Sequence, residues 1–295
     1  MNDNIMIYDY QEQKQFYSID DKLSTPTTSI EWINPSSSSL LVEATRKGTI
    51  YVWKIPPIEK RKQPTVVSSF LAFPAFAKQQ SVESMKNVVV MDWNQESGQL
   101  AAAGTTQLVK VWDMEQERLL CCKETGYNSP VVTVKSRDEF SYFCCLSNGR
   151  IVSMDTRCKE VVHQYSCEVT PSSSFVNMSL MSNSNIVVGQ LDGKTTIIDP
   201  RVFKPLKELQ LPPLLSTIRA HPTLPVMTAS SLKSELTVCD LEGKVTQSIY
   251  TRGGFRAASL GHLKSVVYHP LDNCFASYNS DGIVYIYEQF VVCYI

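Results

Sequence analysis

Apolar and polar residues alternate along this chain in short runs bounded by glycine, proline, asparagine and serine, which is the period of a half-buried strand. Helical three-to-four spacing is absent over any useful length, so the pattern predicts an all-β protein built from many short strands. Six segments repeat one plan, a polar turn followed by β-formers and a charged end: RKGTIYVWK (46–54), TTQLVKVWD (105–113), SNGRIVSMD (147–155), LDGKTTIID (191–199), KSELTVCD (233–240) and SDGIVYIYE (280–288). A further copy, NIMIYD, ends at Asp9.

The copies end at Asp9, Lys54, Asp113, Asp155, Asp199, Asp240 and Glu288, so successive ends lie 45, 59, 42, 44, 41 and 48 residues apart. A period in the low forties with a Trp-Asp-like strand end marks a WD-repeat β-propeller, in which each unit of about 40–45 residues is one four-stranded blade. Trp112-Asp113 is the one literal Trp-Asp among these ends, so the period carries more weight than the dipeptide.

The rest of each blade lies upstream of its repeat. In the last one, LKSVVYHP (263–270), CFASY (274–278) and GIVYIYE (282–288) read as the first three strands, and FVVCYI (290–295) supplies a fourth. Reading back in the same way gives a single propeller over residues 1–295, with blade starts near 28, 88, 130, 174, 214 and 262. That makes six complete blades plus a partial seventh, because the copy over residues 4–19 holds only a third and a fourth strand. A chain that begins inside a blade leads us to expect a longer native protein supplying the two missing strands, or else a six-bladed ring whose seam the N-terminal strands cover.

The spacing of 59 locates an insertion over residues 55–87. It holds four prolines, the basic run Lys60-Arg61-Lys62 and the aromatics Phe70, Phe73 and Phe76. The basic run reads as a solvated loop. The aromatics either pack against their own blade or face a partner.

Composition narrows the class without changing the fold. At 295 residues and 43% hydrophobic the chain can bury a sizeable core. With 28 Lys and Arg against 29 Asp and Glu, bulk charge does not favour nucleic acid or an anionic membrane surface. There is no apolar run of roughly 18 residues and no basic start leading into an apolar core, so membrane insertion is not expected. Nine cysteines lack any Cys-x-x-Cys pair and are expected as reduced, mostly buried thiols; the four histidines show no ligand spacing with them, so no metal is expected.

Catalytic motifs are missing too: there is no Gly-x-Ser-x-Gly elbow, no phosphate-binding glycine loop and no His-Glu-x-x-His. We therefore expect no enzyme and no cofactor. His262, Ser277, Asp281 and Tyr287 occupy the places of the polar network that stiffens many WD blades, with Tyr in place of the usual Trp. MDTR (154–157) and IDPR (198–201) resemble the Asp-x-Arg boxes of propellers that act as substrate receptors of cullin-type ubiquitin ligases, which would give Arg157 and Arg201 an adaptor-binding role. The simpler alternative is that each Arg bonds the preceding Asp and fixes its turn.

The stretch from Glu235 to Glu288, with its Gly254-Phe255-Arg256 loop ahead of the last blade, closely resembles the end of the Raptor family, the scaffold subunits of TOR complex one. NIMIYDYQEQK (4–14), SSSSLLVEATRKGTIYVWK (36–54), VVVMDWNQESGQLAAAG (88–104) and IIDPR (197–201) also resemble its segments in order. The resemblance implies a non-catalytic interaction module in nutrient-responsive TOR signalling. It implies the TOR kinase complex and Rag GTPases as partners, the latter mostly through N-terminal regions not in this chain, and a cytoplasmic location with recruitment to the lysosome or vacuole surface. It also makes Phe255 and Arg256, beside Phe70, Phe73 and Phe76, candidate partner contacts. The alternative function is the ubiquitin-ligase receptor.

Overall fold

The structure, a computed structural model, describes residues 5–9, 14–19, 25–33, 39–57, 62–78, 86–158, 161–167, 174–250 and 262–288. Six antiparallel sheets follow one another in chain order, each a meander in which consecutive strands pair. Their first strands are Thr27–Ile33, Val89–Asn94, Val131–Ser136, Phe175–Leu180, Leu215–Ala220 and Leu263–Tyr268, and we number the sheets as blades one to six. Blades one to five have four strands, and blade six has three among the described residues. FVVCYI lies outside the described residues. A separate hairpin, Ile5–Asp9 paired with Lys14–Ile19, precedes blade one.

Burial changes across each blade in a way the residue types explain. The second strands Gln99–Gly104 and Val226–Ser231 are buried at every position and rich in Ala, Ser and Thr. Strands covered on both faces lose the apolar-polar alternation, and small side chains let neighbouring sheets approach closely. The fourth strands, such as Lys204–Gln210 and Val245–Tyr250, are exposed and carry polar residues that blunt an open edge.

The repeated acid has a local job. Asp113 Oδ1 accepts the N–H groups of Glu115 (3.0 Å) and Gln116 (2.9 Å). Asp155 Oδ1 accepts that of Arg157 and Asp199 Oδ1 that of Arg201, each at 2.8 Å. Asp240 Oδ1 does the same for Glu242 (2.9 Å) and Lys244 (2.8 Å). A carboxylate ending the third strand thus closes the turn into the fourth, a backbone-capping role suited to Asp.

By its contacts the chain divides into two compact units, Met1–Cys144 with Ser153–Val162, and Cys145–Val152 with His163–Ile295. In the first, a buried cluster joins Val42, Ile50 and Val52 of blade one to Val89, Met91 and Leu100 of blade two. The N-terminal hairpin lays Tyr17 and Ile19 on Leu41, Trp53 and Ile55 of blade one. In the second, Val187 and Ile197 of blade four meet Leu215 and Ile218 of blade five. Leu236 and Val238 of blade five meet Leu263, Val266 and Phe275 of blade six. Each sheet buries a face it could not cover alone, and each such side chain contributes roughly 1.5–3 kcal/mol.

Candidate protein-interaction surfaces

The insertion after blade one resolves into a fourth strand, Thr65–Leu71, and a four-residue helix, Pro74–Ala77. The chain then folds back on the turn before the third strand: Gly48 O accepts the N–H groups of Ala72 (2.8 Å) and Phe73 (3.0 Å). Gly48 has φ +77°, and a Cβ there would sit 2.6 Å from the Phe73 carbonyl oxygen, so only glycine fits. Phe73 and Phe76 are 3% and 4% exposed, their rings 5.4 Å apart, within the core shared by blades one and two. Lys110 of blade two donates to Ala72 O at 2.6 Å and sits over the Phe73 ring. The partner-facing expectation therefore fails for Phe73 and Phe76, because burying two aromatic rings between sheets outweighs leaving them in water. Phe70 is half-buried against Trp112, with centroids 5.2 Å apart. Phe255 and Arg256 lie outside the described residues, as do Lys60 and Arg61.

Beside Phe70, blades one and two leave a cleft of about 630 Å³. Its apolar wall includes Ile33, Val52, Trp93 and Trp112, and its rim carries Glu96, Glu115 and Glu117. The segments DWNQES (92–97) and VWDMEQE (111–117) meet within the sheet of blade two, and the packing of blade one sets Ile33, Val52 and Phe70 opposite them.

The two Asp-x-Arg turns have matching geometry. Arg157 gives Nε to Asp155 Oδ1 (3.0 Å) and Nη2 to Asp155 Oδ2 (2.6 Å); Arg201 does the same with Asp199 at 3.2 and 2.9 Å. Both guanidiniums are thus clasped by their own turn while 65% and 78% of each side chain stays in water. Arg157 also lies 4.5 Å from the Phe140 ring centroid. The clasp, chiefly its side-chain hydrogen bonds, holds the Asp155 carboxyl down at about 2. This is the turn-fixing arrangement, a bidentate pair in the plane of the guanidinium.

The polar network proposed for blade six is drawn differently. Ser277 neighbours Tyr287, whose phenol burial pushes up and the Ser277 hydroxyl pulls back. His262, however, places Nδ1 2.5 Å from Leu232 O in blade five, and Asn279 Oδ1 receives the N–H groups of Asp281 (3.1 Å) and Ile283 (2.9 Å). Asn279 thus organises this turn through its side-chain oxygen.

Two other histidines, unassigned from sequence, do comparable work. His221 Nδ1 accepts the N–H groups of Thr223 (3.1 Å) and Leu224 (3.0 Å), and its Nε2 lies 3.3 Å from Asp272 O. His269 Nδ1 accepts from Asp272 N–H at 2.9 Å in the matching His-Pro turn of blade six. The shared His-Pro dipeptide was the available signal for both.

Among the described residues no group of three or more His, Cys, Asp or Glu is placed to hold a metal, and no helix is long and apolar enough to cross a membrane. Eight cysteines are described, all as free thiols. Cys144, Cys145, Cys167 and Cys239 are buried, whereas Cys122 and Cys158 are exposed. Burial pushes the Cys144 and Cys239 thiols up to about 12, which makes them inert packing groups.

No protein-family model matches the chain. Regulatory-associated protein of TOR 1 from Arabidopsis thaliana is 23% identical over 301 residues, covering 98% of this chain. Regulatory-associated protein of TOR 2 from Oryza sativa subsp. japonica is 22% identical over 304 residues, covering 97%. The chain spans 22% of the length of each of these relatives. The crystal structure of Chaetomium thermophilum Raptor superposes with a TM-score of 0.82 at 16% identity, over 98% of this chain and 26% of that one. In sequence and fold the chain is a Raptor-like WD-repeat β-propeller.

Proposed function

We propose that this chain is a non-catalytic, protein-binding module of a TOR-complex scaffold, acting in nutrient-responsive signalling. The observation that carries this reading is the extent of the similarity: two proteins named for their association with TOR align with nearly every residue of the chain. A propeller suits such work because its rigid sheets hold many short turns at fixed positions, and the chemistry gathered on those turns is recognition chemistry: apolar clefts, carboxylates and clasped guanidiniums. In this reading the partners are the TOR kinase assembly and, through regions outside this chain, Rag GTPases. The protein is cytoplasmic and reaches the lysosome or vacuole surface by recruitment.

The test is affinity purification of the tagged protein from its native cell with identification of the bound chains. TOR kinase together with its small propeller subunit is the expected result. Recovery of a cullin adaptor without TOR would overturn the scaffold reading in favour of a ubiquitin-ligase receptor.

A further inference from the structure

We propose that the cleft between blades one and two binds an extended protein segment in which a bulky apolar side chain is flanked by lysine or arginine. This deepens the protein-binding reading and does not depend on the partner being TOR. The floor is aromatic. Phe70 and Trp112 meet at 46°, and the half-buried Trp93 fixes its indole by donating Nε1 to Gln95 Oε1 at 2.9 Å. On the wall Val67 is left 52% exposed, so apolar surface that an occupant would cover stands in water. At about 630 Å³ the cleft falls within the range of side-chain and ligand pockets, roughly 300–1,000 Å³.

The charge of the lining selects the occupant. Among the described residues Glu96, Glu115 and Glu117 are the charged groups of the lining, and no lysine or arginine belongs to it. All three carboxylates are exposed, and among the described residues none of them forms an ion pair. Three free carboxylates from two turns match a chain bearing several cations better than one small cation, and they also attract it from a distance. The half-buried Trp93 indole adds a favourable site for a guanidinium or ammonium group.

The rim is already ordered. Asn94 Oδ1 accepts the N–H groups of Glu96 (3.0 Å) and Ser97 (3.2 Å), Asp113 holds the second turn as described, and Met114 N–H bonds to Gly98 O at 3.1 Å, tying the turns together. Little conformational freedom remains to be lost on binding, which favours affinity. The Ser97 hydroxyl is buried in this lining and has no hydrogen-bond partner among the described residues. A buried unpaired hydroxyl is uncommon, and the backbone of an incoming segment would satisfy it.

The test uses the 295-residue chain and a fluorescein-labelled peptide with a central Leu-Phe pair flanked on each side by Lys-Arg, read by anisotropy. Two controls replace Leu-Phe by Ala-Ala, or Lys-Arg by Glu-Asp. Binding is expected for the first peptide, about tenfold weaker for the Ala-Ala control and undetectable for the acidic one. The triple change Glu96→Gln, Glu115→Gln and Glu117→Gln should weaken the first peptide about tenfold and flatten its salt dependence. These positions are exposed turns, so the fold is retained, as far-UV circular dichroism will check; the single change Glu115→Gln serves if it is not. The proposal is overturned if the first peptide does not bind, if the Ala-Ala peptide binds as well, or if the glutamine changes leave affinity unaltered. Failure of TOR to co-purify would leave this result standing, and failure of the peptide would leave the TOR reading standing.

Discussion

Asp92 Oδ2 accepts both the backbone N–H of Ser136, at 2.7 Å, and its hydroxyl, at 2.6 Å. The other oxygen pairs with Lys135 Nζ. One carboxylate from the first strand of blade two is therefore held by two consecutive residues of the first strand of blade three. Asp92 is 7% exposed, and a charge so placed is tolerated only because every side is paired. Tyr142, whose hydroxyl donates to Gln99 Oε1 at 2.6 Å, forms a second buried bond between the same two blades, and burial pushes its phenol up.

Removing the carboxylate should be costly. Asp92→Ala strands a largely buried Lys135, so a loss of about 3 kcal/mol is expected, and Asp92→Asn, which keeps an acceptor, should lose less. Urea unfolding of the three proteins measures both. Equal, sub-kilocalorie losses would mean that water reaches this joint.

Phe73 and Gly48 should behave as one contact. Phe73→Ala opens a cavity between blades one and two and is expected to cost about 3–5 kcal/mol. Gly48→Ala forces a Cβ against Phe73 at a positive φ and is expected to cost about 1–2 kcal/mol. The double variant should lose less than the sum, because both changes disturb the same packing. Denaturant midpoints of the set decide this.

His221 gives the fold a mild acid sensitivity. It is fully buried, and burial, with a smaller effect from His269, lowers its pKa below 6.5, while the Asp272 carbonyl acts the other way. The unfolded chain thus takes up a proton more readily than the folded one. The associated stability is fully present above about pH 6.5 and is lost as pH falls through the lower folded value. Melting temperatures between pH 7.5 and 5.5 should fall, and His221→Asn, which keeps an acceptor for the Thr223 and Leu224 amides, should flatten that limb.

The Asp-x-Arg turns make a prediction at lower pH. Asp155 is held at about 2 against an unfolded 3.8, so its contribution is present above pH 3.8 and lost as pH falls towards 2. Arg157→Ala should erase that acid step while changing stability at neutral pH little, since the pair faces water. Under the scaffold reading, Arg157→Ala and Arg201→Ala leave co-purification of TOR unchanged. Capture of a cullin adaptor that either change abolishes would assign these arginines to the other function.

Much of the fold was legible because its signals are local. The alternation in TIYVWK or LVKVWD specifies a strand, the glycine at 48 or 193 specifies a turn, and the acid at 113, 155, 199 or 240 caps the next turn within four residues. Each depends on backbone geometry a few residues wide, so reading along the chain recovers the repeat and the order of the blades.

Only the tertiary structure decided what happens between repeats. The sequence left Phe73 and Phe76 open between a core and a surface, and the stacking of blade two on blade one buried them. It gave no sign that Asp92 would meet Ser136, that His262 would turn to Leu232, or that Phe70 of blade one would share a cleft with Trp93 and Trp112 of blade two. These contacts join residues separated by about one repeat or set by the packing of two sheets, and no spacing rule encodes the rotation of one sheet on the next. A repeat sequence thus determines each blade almost by itself, whereas the surfaces a partner would recognise arise from how adjacent blades pack.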